Sequence, residues 1–507
     1  MIAPLAGLLL LVLPVVLALA SCAVPATRQG APSDVAAAPT GTASPAAGAA
    51  SASGPDPALA RRAEAVAAAL AASRPAAHAV AQQVSVSGRE GALDTAARTR
   101  MLADAGGPGR AALLQRHVMA MAQFGDVDLH AHNEARLLVD GPATFDSMFE
   151  AIERARHSIL LQSYIIEDSA IAQRLAALLV RRRAEGVSVA VLYDDVGSLG
   201  TSAAFFAALR EQGVLTCAVN PVHPLKRPGY WEIQQRDHRK ILSIDRQVGY
   251  TGGINISAVY SSGSFSRARP RKEDDARRSG WRDTQIRLRG PAVAALDDLV
   301  RATWREQGCR GELAPPPATA AGTPAGHLVR IVPSSPDDEF NRIYALLLAA
   351  IHGAERSVYL TMAYFAPGED MVDALARAAQ RGVDVQLVLP SMSDFTPVLH
   401  AGRSHYQRLL DAGVQLHELQ DAVLHAKTAV IDGVVSTVGS SNLDWRSIVA
   451  NREVNAVVLG EDFGEAMTRM FRRDVAASRR VTPEAWASRP WTQRLREALA
   501  RAFEPLW

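Results

Sequence analysis

The chain has 507 residues, which is too long for one ordinary domain and predicts two or three. Its hydrophobic content of 48% can fill sizeable cores, and its net charge of +2 gives no argument for bulk nucleic-acid binding. Three cysteines exclude a fold that depends on a disulfide framework.

The N-terminus has the composition of a targeting segment. Residues 2–20 carry no charged side chain and are mostly Leu, Val and Ala. The run ends in Leu19-Ala20-Ser21-Cys22, which resembles a bacterial lipoprotein cleavage site, so residues 1–22 predict a lipoprotein-type signal with Cys22 lipidated. Ala23 then favours, by resemblance, an outer-membrane location facing the periplasm. An uncleaved anchor in the inner membrane is the alternative, because no Lys or Arg precedes the apolar run.

Residues 23–57 consist mostly of Ala, Pro, Gly, Ser and Thr and predict a disordered tether. Residues 58–132 predict a helical N-terminal region, with helices at Ala58–Ala72 and Arg110–Phe124. No chemical role follows from this region. Its histidines are interpreted as surface or packing residues, and they are His78, His117, His130 and His132.

Segment 133–314 alternates predicted strands and helices, an order typical of an α/β sandwich. Gly186 and Gly213 close two of its helices. The predicted strands are Ala135–Val139, Ser158–Ile166, Val187–Tyr193 and Val214–Val219. The predicted helices are Pro142–Arg156, Ala170–Glu185 and Thr201–Gln212.

Segment 327–480 repeats this order. Residues 315–326 begin with three prolines and predict a linker, and residues 481–507 predict a C-terminal helical segment. The chain therefore predicts a tandem duplication of two α/β/α sandwiches, related by a pseudo-twofold axis and sharing one site. The second set of predicted elements is Leu328–Val332, Asp337–His352, Ser357–Tyr364, Met371–Arg381, the run 382–388, and Ser404–Ala412.

One stretch occurs in both halves with identical internal spacing. The first copy reads His238-Arg239-Lys240, four residues, Asp245, six residues, and Gly252-Gly253-Ile254-Asn255. The second copy reads His425-Ala426-Lys427, four residues, Asp432, six residues, and Gly439-Ser440-Ser441-Asn442. Two copies with this spacing indicate a shared functional site.

Strand geometry separates the members of this motif. Each His and the Lys two residues later point the same way, because side chains alternate along a strand. Asp245 and Asp432 lie at odd offsets and face the other side. This parity argues against a local His–Asp dyad and predicts that each Asp fixes the turn and backbone.

The remaining motif residues suit one task, which is to hold a phosphate diester. Two lysines can neutralise its non-bridging oxygens, two asparagines can donate hydrogen bonds, and two histidines can serve as nucleophile and general acid. The predicted catalytic residues are His238, Lys240, Asn255, His425, Lys427 and Asn442.

The duplicated motif is similar to the HKD motif of the phospholipase D superfamily, and the nearest resemblance is to bacterial cardiolipin synthases. The run from Gly439 to Ser447, followed by Asn451 and Glu453, resembles their second motif. The resemblance covers about residue 130 to the C-terminus and implies two phospholipase D-like repeats.

The resemblance also implies an acid that hydrogen-bonds each histidine and fixes its tautomer, as a triad acid does. Glu453, eleven residues beyond Asn442, matches this acid in the second half. In the first half the stretch 281–284 resembles the family's acidic stretch, and Asp283 is predicted as the orienting acid. A surface or strand-end carboxylate is the alternative for Asp283.

Two loops are predicted to roof the site, and a C-terminal helical segment follows the second repeat. The loop Asn220–Asp237 carries basic and aromatic residues that suit a lipid headgroup, or it is an ordinary solvated loop; they are Lys226, Arg227, Tyr230 and Trp231. The charged insertion Gly263–Gly280 is interpreted as a lid or as disordered chain. The C-terminal helix packs on the domain or lies at a membrane surface, and its aromatics are Trp486, Trp491, Phe503 and Trp507.

Cys217 is predicted to be a buried free thiol, with a disulfide to Cys309 as the alternative. No His or Cys spacing typical of a metal site occurs, so neither a metal nor another cofactor is expected.

The resemblance implies an enzyme that moves a phosphatidyl group between phospholipid alcohols through a phosphohistidine, without a nucleotide. His238 would attack phosphorus and His425 would protonate the leaving alcohol. A phospholipase D that releases phosphatidic acid and a metal-independent secreted nuclease are the alternatives. A non-enzymatic binder would be expected to lack a motif His or Lys in one copy, but both copies keep both residues. The expected partners are phospholipids at a membrane surface, with no nucleic acid expected and no protein partner inferred.

Overall fold

The computed structural model describes residues 56–504, apart from 72, 74, 89–90, 223–233, 265–279, 320–321 and 324–325. Several predictions concern residues outside this set, namely the signal segment with Cys22, nearly all of the tether, and Trp507. Most of the loop Asn220–Asp237 and most of the insertion Gly263–Gly280 also lie outside it.

From Asp128 onward, the strands and helices of the described residues follow the order that the sequence predicts. The α-helices are α1 (Pro57–Ala71), α2 (Ala77–Gln83), α3 (Thr95–Ala105), α4 (Gly107–Ala122), α5 (Asp140–Glu153), α6 (Ala170–Ala184), α7 (Ala203–Glu211), α8 (Ala292–Glu306), α9 (Arg342–His352), α10 (Glu369–Gln380), α11 (Thr396–Ser404), α12 (Tyr406–Asp411), α13 (Glu461–Ala476), α14 (Pro483–Ala487) and α15 (Trp491–Ala502).

The strands are β1 (Ser85–Gly88), β2 (Gly91–Ala92), β3 (Asp128–Val139), β4 (Ser158–Ser163), β5 (Ser188–Asp194), β6 (Leu215–Val219), β7 (Arg236–Asp237), β8 (Ile241–Ile244), β9 (Val248–Gly252), β10 (Thr284–Arg289), β11 (His327–Ser334), β12 (Ser357–Met362), β13 (Asp384–Pro390), β14 (Gln415–Leu419), β15 (Lys427–Ile431), β16 (Val435–Gly439), β17 (Asn451–Leu459) and β18 (Ser478–Val481).

The two halves of the chain build sheets of the same topology. The first half runs β3-β10-β9-β8-β4-β5-β6, with β4, β5 and β6 parallel and the rest antiparallel. The second half runs β11-β17-β16-β15-β12-β13-β14 with the same directions, and adds β18 at its far edge. The equivalent strands β3 and β11 pair antiparallel, which relates the halves by a pseudo-twofold axis. The predicted tandem α/β duplication is confirmed.

A shared apolar core joins the halves. It contains the inner faces of both sheets together with α8 and α13, the equivalent helices of the two repeats. Val300 and Trp304 of α8 and Phe463 and Met467 of α13 are all buried in it. Each such side chain contributes roughly 1.5–3 kcal/mol when fully buried, so apolar packing holds the halves in a fixed relation. A second core fills the outer side of the first sheet under α5, α6 and α7.

The sequence predicts a helical N-terminal region, but the region also contains strands. Four helices precede β3, but β1 and β2 form a hairpin, and β1 pairs parallel with β3. Strand β3 begins at Asp128, ahead of the predicted start at Ala135. Leu129 and Ala131 are buried, whereas His130 between them and His132 after them are polar and only partly buried. The strand therefore follows a period of two, which the two histidines conceal in the sequence. The region shares the core of the second half.

Asp245 and Asp432 hold equivalent turns at the ends of β8 and β15, and both adopt a positive φ, of 52° and 53°. Asp245 accepts hydrogen bonds from the backbone N–H groups of residues 156, 157 and 158 at 2.7–2.8 Å. Asp432 accepts from the corresponding residues 355, 356 and 357 at 2.8–3.2 Å. The buried His117 adds a bond to Asp432 at 2.9 Å between Nε2 and Oδ2. Neither Asp contacts the histidine of its own motif.

Substituting Asp432 by Ala is expected to destabilise the fold more than Asp245→Ala. Both changes leave backbone donors without an acceptor. Only Asp432→Ala also removes the hydrogen-bond partner of the buried His117. Each lost acceptor costs roughly 1–3 kcal/mol, so a total of about 3–5 kcal/mol is expected for Asp432→Ala. Urea midpoints of the two variants measure this order, and equal midpoints would show that His117 adds nothing.

The prediction of a free thiol at Cys217 is wrong. Cys217 of β6 is joined to Cys309, which follows α8, by a disulfide bond, with Cα atoms 5.6 Å apart. The sequence left the pairing open because 92 residues separate the two cysteines, and only the packing of α8 brings them together.

The C-terminal segment packs on the second half. Trp486 of α14 is buried against Tyr406, with ring centroids 4.8 Å apart. Ala500 of α15 joins an apolar cluster with Val398 and Ala401 of α11. Among the described residues, no helix combines the length and apolarity needed to cross a bilayer.

Candidate active site

Backbone pairing between the two halves positions both motif histidines. Strand β7 pairs parallel with the start of β17, and the N–H of His238 donates to the carbonyl of Arg452 at 2.9 Å. In the second half the N–H of His425 donates to the carbonyl of Arg282 at 2.8 Å. Each histidine is therefore fixed beside the residue that precedes the acid of the opposite half.

The acid of the second half contacts the histidine of the first. Glu453 is fully buried, and both of its carboxylate oxygens lie 3.0 Å from Nδ1 of His238. Ser440 Oγ donates to Glu453 Oε2 at 2.5 Å and accepts from the N–H of Val454, which fixes the carboxylate. With Nδ1 occupied, Nε2 of His238 is the ring nitrogen left for chemistry.

The acid of the first half contacts the histidine of the second. Asp283 Oδ2 lies 2.7 Å from Nδ1 of His425. The hydroxyl of Tyr260 also lies 3.0 Å from that nitrogen. Asp283 is fully buried and accepts from the N–H of Thr284 at 2.7 Å, so it is not a surface carboxylate. A Cβ on Gly253 would come within 2.2 Å of Asp283 Oδ1, which explains why glycine stands there.

A buried ion pair positions Asp283. Arg282 is fully buried, and its guanidinium donates two hydrogen bonds of 2.8 Å to Asp474 on α13. It also donates to the carbonyl of Asp283 at 2.5 Å. This bidentate pair joins the first half to a helix of the second half.

The lysines lie behind the histidines rather than on the cavity surface. Lys240 Nζ donates to the carbonyl of His238 at 2.5 Å and lies 5.1 Å from the ring centre of Tyr164. Lys427 Nζ donates to the carbonyl of His425 and lies 3.0 Å from its Nδ1. Both are buried, so their charge acts across a poorly screened interior.

One cavity of about 540 Å³ brings the predicted residues together. His238, His425, Asn255 and Asn442 all line it, and its walls come from both halves. Asn442 Oδ1 has no hydrogen-bond partner among the described residues, although it is buried. Aromatic residues form much of the wall, and they are Tyr164, Tyr260, Trp281, Tyr364 and Phe395. The described residues contain no group of three or more His, Cys, Asp or Glu that could hold a metal ion.

Burial and charge shift the ionisation of the site. Burial lowers the pKa of His238 well below its ordinary value, and Lys240 and Lys427 lower it further. Burial likewise lowers the pKa of His425, and Asp283 opposes that shift. Burial lowers the pKa of Lys240 to about 7. It raises the pKa of Glu453 to about 7, although Lys240 acts in the opposite direction. His238 is therefore neutral near pH 7, as a nucleophile must be, whereas Asp283 favours the protonated form of His425 that a general acid needs.

Comparisons with known proteins place the chain in a family. A family model described as "Cardiolipin synthase, PLD-like domain" matches residues 148–263 and 347–475, one segment in each half. Cardiolipin synthase A of Pseudomonas putida (strain W619) is 34% identical over 391 residues, covering 76% of this chain and 78% of its own. Cardiolipin synthase of Geobacillus kaustophilus (strain HTA426) is 33% identical over 398 residues, covering 77% and 76%.

The chain belongs to the cardiolipin synthase family. The resemblance stated from the duplicated motif is confirmed. A solved structure, phosphatidylserine synthase of Haemophilus influenzae Rd KW20, matches this family member with a TM-score of 0.52. It covers 73% of this chain and 93% of its own at 13% identity, which supports the fold alone.

For this cardiolipin synthase family member, the plot of kcat/KM against pH is expected to be a narrow bell-shaped curve with its maximum near pH 7. Below about 7 Glu453 is protonated and releases the Nδ1–H of His238; above about 7 Lys240 loses its positive charge. Rates on a lipid substrate from pH 5 to 9 measure the profile. In Lys240→Arg the alkaline limb should move upward, because a guanidinium keeps its charge. An unchanged alkaline limb in that variant would contradict the assignment.

Several contacts of this family member were not predicted from the sequence. The motif indicates the histidines and Glu453, but not that each acid serves the opposite half. Ser440 lies inside the quoted motif, and Arg282 lies in the stretch around Asp283, so their positions carried a signal. Tyr260 follows Asn255 by five residues, and no sequence pattern there indicated that it contacts the site.

Proposed function

We propose that this protein is a phosphatidyltransferase of the cardiolipin synthase type, which exchanges one phosphodiester for another through a phosphohistidine. The observation that carries the proposal is the pair of imidazoles, His238 and His425, that line one cavity while each Nδ1 contacts a buried carboxylate. A nucleophile and an acid–base group held on opposite halves suit a two-step displacement at phosphorus.

In the first step, Nε2 of His238 attacks the phosphorus of a bound phospholipid. The bond from phosphorus to the headgroup oxygen breaks, and His425 gives its proton to the departing alcohol. In this step Glu453 stabilises the charge that develops on the His238 ring, because it accepts the hydrogen bond from Nδ1. The product is a phosphatidyl group bound to His238.

In the second step, His425 takes the proton from an incoming alcohol, and the alcohol oxygen attacks phosphorus. The bond to His238 breaks and the phosphatidyl group leaves on the new alcohol. Lys240 and Lys427 stabilise the phosphoryl oxygens, and Asn255 and Asn442 donate hydrogen bonds to them. No nucleotide is consumed, because one diester replaces another.

The substrates are proposed to be phospholipids taken from a membrane surface. Phosphatidylglycerol as both donor and acceptor would give cardiolipin and glycerol, whereas water as acceptor would give phosphatidic acid. The aromatic wall suits the apolar part of a lipid, and the histidines and asparagines suit its phosphate. Anchoring through lipidated Cys22, facing the periplasm from the outer membrane, remains part of this proposal.

Incubation of the purified full chain with headgroup-labelled phosphatidylglycerol, followed by lipid separation, tests the function. We expect cardiolipin and free glycerol in equal amounts. Phosphatidic acid as the main product would select the hydrolase instead. Cleavage of DNA in the presence of a chelator, with no lipid turnover, would select the nuclease.

A further inference from the structure

The exposed large apolar side chains of the described chain form two groups. One group borders the mouth of the active-site cavity: Leu199 lies between lining residues 198 and 200, Val449 lies between lining residues 447 and 451, and Phe395 lines the cavity itself. The other group lies on α15 and its last turn, and comprises Trp491, Leu495, Leu499 and Phe503.

The apolar group on α15 forms a stripe along one face. Trp491, Leu495 and Leu499 recur every four residues and are 73%, 50% and 47% exposed. At 3.6 residues per turn, this spacing places them on the same side of the helix. We name these three residues the α15 stripe.

The protein-facing side of α15 is unusually polar. The residues that turn inward are Gln493, Glu497 and Ala500, at the opposite side of the helix from the α15 stripe. Glu497 is buried, and it accepts hydrogen bonds from Arg489 at 3.0 Å and Gln493 at 2.9 Å. A surface helix of a water-soluble domain normally turns its apolar face inward. The reversed orientation of α15 leaves its apolar face available to an apolar partner.

The helix adjoins the cavity. Ala500 packs in one cluster with Val398 and Tyr364, and both of these residues line the cavity. Helix α11, on which α15 lies, directly follows the cavity-lining Phe395. Helix α15 therefore adjoins the wall of the proposed lipid site, and the α15 stripe lies on the outer side of this helix. Exposed Arg494 and Arg496 lie beside the stripe, which suits the negative surface of a membrane with anionic lipids.

We propose that the α15 stripe docks the enzyme on a bilayer that contains anionic phospholipids, with the cavity mouth facing the lipid headgroups. This proposal rests on the proposed function, since a lipid substrate gives the mouth a reason to face the membrane. Apolar side chains enter the headgroup boundary, and the arginines contact lipid phosphates. A phospholipid then reaches the histidines without leaving the interface for water.

The first test uses Trp491 as its own reporter. Vesicle binding of the full chain is not informative by itself, because residues 2–20 are apolar. The full chain and its Trp491→Phe variant are each reconstituted into phosphatidylglycerol–phosphatidylcholine vesicles with or without brominated acyl chains. Subtracting the fluorescence of the Trp491→Phe variant from that of the full chain gives a difference emission that comes from Trp491. With brominated lipid, this difference emission should fall to less than half of its value with unbrominated lipid. An unchanged difference emission would overturn the proposal.

The second test compares two triple variants of the full chain. In Trp491→Ser/Leu495→Ser/Leu499→Ser, the ratio of turnover on vesicle substrate to turnover on monomeric short-chain phosphatidylglycerol should fall about tenfold. In the matched control, Trp491→Phe/Leu495→Phe/Leu499→Phe, the ratio should stay within about twofold, since apolar area is kept. Equal thermal midpoints verify that both variants fold.

Other outcomes are distinguishable. If the serine variant keeps its ratio and changes only from dimer to monomer in light scattering, the α15 stripe is a subunit interface and the proposal fails. If the unaltered protein turns over neither substrate, the proposed function fails, while the quenching measurement still decides whether α15 docks.

Discussion

His238→Ala is expected to abolish phosphatidyl transfer, with a loss of at least about 10⁴-fold in kcat. Nε2 of His238 is the proposed attacking atom, and alanine has no group that can attack phosphorus in its place. The measurement is conversion of labelled phosphatidylglycerol by the purified variant. The variant should fold normally, because the His238 side chain contacts the cavity and Glu453 rather than a core.

Histidine replacement alone does not identify the nucleophile, because His425→Ala should also be inactive on ordinary lipids. A phosphatidyl ester of p-nitrophenol separates the two roles, since its leaving group needs no acid. His425→Ala should then release about one nitrophenolate per enzyme and retain a bound phosphatidyl group. His238→Ala should release none. A burst in His238→Ala and none in His425→Ala would reverse the assignment.

The second large effect concerns the exchange of acids between halves. Glu453→Gln is expected to lower kcat roughly 10³-fold, because the amide cannot stabilise the charged ring of His238 as a carboxylate does. Asp283→Asn should produce a similar loss through His425. Ser440→Ala removes only a hydrogen bond to Glu453 and should cost about tenfold, which makes it the milder control.

The activated ester also shows which histidine each acid serves. Although Asp283 belongs to the first half, Asp283→Asn should behave like His425→Ala and give a burst with a trapped intermediate. Although Glu453 belongs to the second half, Glu453→Gln should behave like His238→Ala and give no burst. If each acid variant instead resembled the histidine variant of its own half, the crossed contacts would have no catalytic role.

The sequence predicted the fold well where local patterns specify structure. Apolar runs that alternate with helical spacing indicate the parallel strands and their crossover helices, and glycines such as Gly186 and Gly213 mark helix ends. The duplicated motif indicated the site because two copies share one spacing. Parity along the strand also separated Asp245 and Asp432 from their histidines, and the structure places those acids on backbone turns instead.

The rest depends on contacts that sequence spacing does not encode. Glu453 and His238 are 215 residues apart, and only the packing of the two sheets brings them together. The disulfide between Cys217 and Cys309 depends on where α8 ends. The hairpin of β1 and β2 is short and weakly apolar, and it is stabilised by β3 rather than by its own propensity. The polar inward face of α15 becomes visible only once its neighbours are known.

After a domain is duplicated, one copy can ordinarily accumulate substitutions while the other keeps the original function. The crossed carboxylates of this chain constrain both copies, because Asp283 and Glu453 each contact the motif histidine of the other copy. A substitution in one repeat therefore alters the surroundings of the other repeat's histidine, so selection is expected to act on the two repeats together.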